Sequence, residues 1–426
     1  MVDLSIDFCG IKSPNPFWLA SGPPTNSGDQ VSRAFEAGWG GAVWKTLGNP
    51  VVNLNSRYGA FRGERGRILG FNNIELISDR GLSVNLREMA EVKRRYPDHA
   101  LIASVMAGDK DEWQELIRRV EDTGVDGLEL NFSCPHGMCE RGLGSAVGQE
   151  PAVATKITRW VKECTALPTI VKFTPNVADI CDQGRAAVTG GADGAALINT
   201  IKSIVGVDLD DFIPFPKLRN GSTNGGYCGA AIKPIALHMV ASLARQPWFS
   251  LPISGIGGIG GWRDCAEFIA LGCTSVQVCA AVMQHGFGIV KQMSEGLSAY
   301  LQEKSMASPA ALRGKALANY KEWGELDMNY KVVATIDEAA CIGCNSCYTA
   351  CNDGAYQAIV HSSRTTESGK PIPSILAQRC TGCNLCSLVC PVHCITMTDI
   401  SETDTVESWQ DIVARGGYVV TDGIKK

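Results

Sequence analysis

The residues with the clearest chemistry lie near the end of the chain. Nine of its 18 cysteines fall after residue 340, and eight of those keep a fixed spacing. Cys341, Cys344, Cys347 and Cys351 form C-x2-C-x2-C-x3-C; Cys380, Cys383, Cys386 and Cys390 repeat it, and Pro391 follows. Such runs hold two 4Fe–4S clusters, with the fourth cysteine of each run crossing to the other cluster. On that rule Cys341, Cys344, Cys347 and Cys390 are one ligand set, and Cys380, Cys383, Cys386 and Cys351 the other. Zinc usually takes its ligands in two pairs, whereas each run here has four in sequence. Asn352, not proline, follows the first run. Cys394 is a ninth thiol of this region and reads as a small buried apolar residue.

Cys134 stands apart from these runs. It lies in NFSCPHG (131–137), after the apolar stretch GVDGLEL, with no CxxC partner. A thiol of pKa about 8.5 is mostly protonated at neutral pH and can serve as a general acid. The alternatives are an inert buried thiol, which a loop beside Ser, Pro and His argues against, and a nucleophile, for which no base or acyl site is evident. His136 either tunes this thiol or is a surface histidine.

The elements that must position these groups show in the hydrophobic pattern. Apolar runs at 17–20, 42–44, 101–105, 127–130, 169–173, 195–198, 252–256 and 275–278 alternate with amphipathic stretches at 30–37, 82–96, 111–123, 152–164, 178–189, 234–243, 263–271 and 287–301. Eight β-then-α units predict a parallel sheet closed into a (β/α)8 TIM barrel, the competing arrangement being an open doubly wound sheet. Chemistry in such barrels collects where the strands end. Six ends carry usable groups: Ser21, Lys45 with Thr46, Asn131 with Ser133, Lys172, Asn199 with Thr200, and the glycine run after Ile256. Two long insertions, 51–75 and 202–229, read as covers over the barrel mouth. The expected organisation is a barrel over 1–303, a helical linker over 304–331 and a ferredoxin-like domain with two 4Fe–4S clusters over 332–426.

Residues 255–261, GIGGIGG, match G-x-G-x-x-G between a strand and a helix. The acidic residue that a dinucleotide site wants about 20 positions on is absent from TSVQVC. The run follows the seventh strand, where barrels bind phosphate through backbone N–H groups at a helix N-terminus. A monophosphate cofactor that exchanges both one and two electrons is therefore expected, and FMN does both. Lys45 and Lys172 either place positive charge near its ring or form ordinary ion pairs.

Composition excludes other classes. The net charge of −5 gives no support to a phosphate-tracking nucleic-acid surface. No apolar run reaches the roughly 18 residues of a membrane span. The start, MVDLSIDFCG, lacks a secretory pattern. Reduced thiols and a cytoplasmic location are expected.

With these residues in view, NFSCPHGMCERG, FTPN (173–176), GGADG (190–194), AIKPIAL (231–237), SGIGGI (254–259) and the two cysteine runs resemble the dihydropyrimidine dehydrogenases, in their flavin- and cluster-bearing portion. The resemblance covers nearly the whole chain. It implies reduction of uracil or thymine at the 5,6 bond. It implies FMN contacts at Ser21, Lys45, Thr46, Lys172, Gly229, Ile256, Gly257, Gly258, Cys279 and Ala280. Pyrimidine contacts would fall on Asn73, Asn131, Phe132, Ser133, Asn199 and Thr200, with Cys134 as proton donor. It further implies an FAD- and NAD(P)H-binding partner subunit and a homodimer within a heterotetramer. Cys139 departs from the pattern, standing where the loop has glycine. The rival readings are a dihydroorotate dehydrogenase, which shares the flavin barrel; a dihydrouridine synthase acting on RNA, against which the net charge counts; and a pure electron-transfer subunit.

Overall fold

The computed structural model describes residues 2–49, 55–134, 142–328 and 330–401. The chain divides between Tyr320 and Lys321 into two compact units. In the first, eight parallel strands close into a barrel: β1 (Phe17–Leu19), β2 (Gly41–Leu47), β3 (Ala100–Val105), β4 (Gly127–Asn131), β5 (Thr169–Lys172), β6 (Gly194–Leu197), β7 (Ile253–Ile256) and β8 (Cys273–Val278). Each strand pairs with the next in sequence, and β8 closes on β1 through Val276 opposite Phe17. The helices that follow them are α1 (Gly28–Ala37), α2 (Leu82–Arg95), α3 (Lys110–Glu121), α4 (Pro151–Lys162), α5 (Ile180–Gly190), α6 (Lys233–Ala244), α7 (Trp262–Ala270) and α8 (Ile289–Glu303). The open sheet is thereby excluded.

Strands covered on both faces read as continuous apolar runs, and β2, β3 and β4 are buried at every residue. Helix starts are fixed locally: Ser27, Asp109 and Asp179 accept backbone N–H groups of Gln30, Glu112 and Cys181. One apolar layer lies between strands and helices, around Trp39, Trp44, Trp113 and Phe268. A second fills the barrel, with Trp18, Val43, Ile102 and Ile170 pointing inward. An N-terminal hairpin, Ile6–Phe8 with Ile11–Ser13, joins this inner cluster, and its Phe8 ring meets Trp18 edge-on at 5.4 Å. Its turn places Cys9 and Gly10 at φ 47° and 87°, the left-handed pair that a two-residue hairpin turn needs.

The two long insertions form one antiparallel sheet, not separate loops. Tyr58–Arg62 and Ile68–Asn73 pair with each other, and Gly225–Cys228 joins them with Gly226 opposite Asn73. Residues 50–54, at the start of the first insertion, lie outside the described residues.

The segment expected as one helical linker is broken. Short turns form at Pro309–Leu312, Leu317–Asn319 and Trp323–Glu325, separated by Gly314 and the bulky surface residues after it. The part up to Tyr320 belongs to the barrel unit: Leu312 is buried, and Gly314 and Ala316 donate to the carbonyls of Ile269 and Ala270 at the end of α7. In the second unit Val332–Ile336 pairs antiparallel with Ile395–Asp399, and two short helices, Ser346–Asn352 and Leu385–Leu388, carry cysteines. Among the described residues no helix is long and apolar enough to cross a membrane.

Candidate active site

A cavity of about 760 Å³ opens where the barrel strands end. It is lined by Ser21 after β1, Lys45 and Thr46 in β2, Asn131 at the end of β4, Lys172 at the end of β5, and Asn199 with Thr200 after β6. Ile256, Gly257 and Gly258 follow from β7, and Cys279 and Ala280 from β8. Asn73 and Gly229 reach it from the sheet of the two insertions, and Cys134 from the loop after β4. The sequence-predicted residues thus converge, with two exceptions.

Phe132 and Ser133 do not line the cavity. The Phe132 ring packs edge-on against Trp113 at 6.2 Å in the layer between strands and helices. Strand alternation explains this: Asn131 points inward, so the next residue points out. Ser133 is fully buried and works as a relay.

That relay joins the strand ends to one another. The Thr46 hydroxyl lies 3.2 Å from that of Ser21 and 2.9 Å from that of Ser104, and accepts the Asn131 amide at 3.0 Å. The Asn131 carbonyl accepts the Ser133 hydroxyl at 2.8 Å, and Asn199 donates to that hydroxyl oxygen at 2.7 Å. Asn73 donates to the Gly226 carbonyl at 2.8 Å. Polar groups engaged in this way are preorganised, and a ligand meets fixed donors and acceptors.

Both lysines are buried and paired. Lys45 lies 2.6 Å from Glu75, which also accepts the Tyr58 hydroxyl at 3.1 Å. Lys172 lies 3.3 Å from Glu129. Glu75, Tyr58 and Gln277 line the cavity without having been predicted; Glu75 follows Asn73 in FNNIE, and Gln277 interrupts the apolar β8. Burial pushes the Cys279 thiol up to about 11, against the pull of Lys172 and Lys45. Cys134 is buried beside Ile77 and Met106 yet borders the cavity. His136 and Cys139 lie outside the described residues.

The glycine run does part of what its pattern predicts. Gly257 and Gly258 border the cavity with φ 126° and 75°, and a Cβ on Gly258 would stand 2.8 Å from the Lys233 backbone nitrogen. Only glycine fits there. The N-terminus of α7, however, is already capped: Asp264 accepts the Gly260 and Gly261 N–H groups at 2.9 and 3.0 Å and pairs with Lys233 at 2.6 Å. Asp264 thus places a carboxylate at that helix start, and Gly260, Gly261 and Trp262 border the cavity together with Gly257 and Gly258. Buried cations, polar strand ends and glycine walls together suit an anionic, ring-bearing cofactor.

In the second unit the eight cysteines separate into two sets. Cys341, Cys344, Cys347 and Cys390 border one small cavity, and Cys351, Cys380, Cys383 and Cys386 border another. Each set thus includes the fourth cysteine of the other run. Cys394 is buried, as predicted, but it also borders the first cavity, with its sulfur 3.5 Å from that of Cys390.

Comparison with known proteins agrees with this geometry. Residues 3–301 match the dihydroorotate dehydrogenase family, and residues 334–397 match the 4Fe-4S dicluster domain. The chain is 42% identical over 400 residues to the NAD-dependent dihydropyrimidine dehydrogenase subunit PreA of Escherichia coli, covering 93% of this chain and 96% of that one. It is 43% identical over 328 residues to the chloroplastic dihydropyrimidine dehydrogenase (NADP(+)) of Arabidopsis thaliana, covering 74% and 77%. To the catalytic subunit of dihydroorotate dehydrogenase B (NAD(+)) of Pyrococcus abyssi it is 36% identical over 322 residues, covering 74% of this chain and 99% of that one.

Proposed function

Since the chain belongs to the dihydroorotate dehydrogenase family and is an oxidoreductase of the dihydropyrimidine dehydrogenase type, we propose that it reversibly reduces the 5,6 double bond of uracil or thymine. The observation that carries this reading is Cys134 on the wall of a cavity that also holds Asn73, Asn131, Asn199 and two buried lysines. FMN is the cofactor the cavity fits. Gly229, Gly257 and Gly258 border the cavity with bare backbone at positive φ, and Lys45 and Lys172 offer cations. Ser21, Lys45, Thr46, Lys172, Gly229, Ile256, Gly257, Gly258, Cys279 and Ala280 would hold it. The two cysteine sets would hold 4Fe–4S clusters. When bound, FMN would supply hydride to C6 of the pyrimidine and the clusters would supply single-electron transfer to it.

The chain's own residues do the rest. Asparagine amides offer a donor and an acceptor each, which suits the alternating C=O and N–H edges of a pyrimidine. Asn73, Asn131 and Asn199 read those edges directly, with Thr200 beside them, and Ser133 orients Asn131 and Asn199. The Cys134 thiol holds the proton that C5 receives on the face away from the hydride. Ile77 and Met106 keep water from the sulfur. The electron source is a separate FAD- and NAD(P)H-binding partner subunit, in a heterotetramer built around a homodimer of this chain. The described cysteines are all free thiols, which suits a reducing cytoplasm.

The match to dihydroorotate dehydrogenases favours one second reading, oxidation of dihydroorotate. Anaerobic photoreduction of the purified chain separates the two: uracil, and not orotate, is expected to reoxidise the flavin. Cys134→Ala is expected to keep flavin and clusters and to lose about 10²- to 10⁴-fold in turnover, the usual contribution of a general acid, with Cys134→Ser between. Turnover near wild type in Cys134→Ala sinks the assignment.

A further inference from the structure

Glu129 is a fully buried carboxylate inside the barrel that the proposed chemistry does not use. It lies on β4 two residues before Asn131, so its side chain points into the barrel as Asn131 does. One of its oxygens lies 3.3 Å from the Lys172 ammonium; the other accepts the Gln277 amide nitrogen at 3.1 Å. Lys172 and Gln277 line the cavity, and Glu129 does not. Whatever Glu129 does for a bound ligand, it does through those two side chains.

The surroundings of the two lysines differ in a way that gives this a purpose. Lys45 is tied at 2.6 Å to Glu75, itself a cavity residue whose charge any ligand meets directly. The Lys172 contact is longer, and the facing Glu129 oxygen makes no directed hydrogen bond. The pairing is therefore mainly Coulombic, and the ammonium keeps donors for the cavity side. At the same time the anion beneath it offsets part of its field in a region where water does not screen.

We propose that Glu129 is a positioning residue that holds Lys172 beneath the cofactor and sets how much of its positive charge the cofactor experiences. The proposal rests on FMN being that cofactor. A cation beside a flavin favours its reduced, anionic form, so Glu129 keeps the bound flavin harder to reduce than Lys172 alone would make it. The carboxylate thereby adjusts the equilibrium between flavin and substrate without touching either.

The test is spectroelectrochemical titration of the flavin in the full-length, cluster-loaded chain. Glu129→Gln keeps the shape and removes the charge. It is expected to favour two-electron reduction of bound FMN about tenfold, which is about 30 mV for a two-electron couple. Lys172→Met is expected to shift the potential the other way, and adding Glu129→Gln to it is expected to shift the potential by less than that substitution does alone, because part of its effect runs through the placement of Lys172. An unshifted potential in Glu129→Gln, or the same shift with and without Lys172, overturns the proposal. Should Glu129→Gln fail to fold, Glu129→Asp draws the carboxylate away from Lys172 and is expected to shift the potential in the same direction by less; no shift overturns the proposal. A wild-type chain that neither carries nor binds FMN overturns the cofactor reading and this inference together, whereas bound FMN with an unmoved potential overturns this inference alone.

Discussion

The barrel and the cysteine unit bury different things. The barrel's core is built of large apolar side chains, among them Trp39, Trp44, Trp113, Phe17, Phe173 and Phe268. Its polar strand ends are hydrogen-bonded to one another. The core of the second unit consists of Ala334, Ala358, Ile359 and Ile395 together with Cys347, Cys351, Cys386, Cys390 and Cys394. Most of those thiols are the groups that clusters would take. A unit this small buries little apolar surface of its own. The barrel therefore stands by hydrophobic burial, whereas for the cysteine unit folding and metal loading are expected to be one equilibrium.

The largest expected effect follows from that contrast. Anaerobic removal of iron by a chelator and acid is expected to unfold residues 321–401 while the barrel keeps its own cooperative melt after return to neutral pH. Calorimetry and limited proteolysis would check it: one transition should vanish and one persist, with cleavage confined to the second unit. A cysteine unit that stays protected without iron breaks the comparison.

High pH acts on the barrel by a different route. Burial pushes the thiols of Cys279 and Cys228 up to about 11 and about 12, from an ordinary value of 9.0. A raised folded-state pKa means that the folded state favours the proton. This contribution is complete below about pH 9 and is lost as pH climbs through 11 and 12. The loss is about 1.4 kcal/mol per pH unit for each thiol in that window. The barrel's melting temperature should therefore hold from pH 7 to 9 and fall above it. Cys228→Ala should flatten the fall; an equally steep fall in that variant would show that another group is responsible.

The same contrast decides what could be read without coordinates. The two cysteine runs were legible because cluster chemistry dictates short spacings that are independent of the fold around them. The eight β-then-α units were legible because helices amphipathic at 3.6-residue period stand between apolar runs. What escaped lies inside those runs. Strands buried on both faces lack polar alternation, so Glu129 in GVDGLEL and Gln277 in TSVQVC looked like parts of apolar stretches. A charged residue in the middle of a buried strand is itself the signal, since such a group needs a partner. Counting outward from Asn131 would have turned Phe132 away from the cavity. The N-terminal hairpin was missed because strands of three residues carry too little periodicity to detect.

The smallest effect tests a detail of the barrel that the glycine pattern concealed. GIGGIGG points to a helix start that binds phosphate, and Asp264, three residues after Gly261, accepts the Gly260 and Gly261 N–H groups there. Deleting such a cap costs about 1 kcal/mol, which for a unit of this size lowers the melting temperature by roughly 2 °C. Asp264→Ala is expected to show that loss in the barrel transition alone and to leave the cysteine unit's transition where it was. If the capped helix start plays no part in holding phosphate, FMN affinity should stay within about twofold of wild type. A clear gain in affinity would mean that the carboxylate competes with the phosphate at the helix N-terminus, the phosphate site that the sequence pattern indicates.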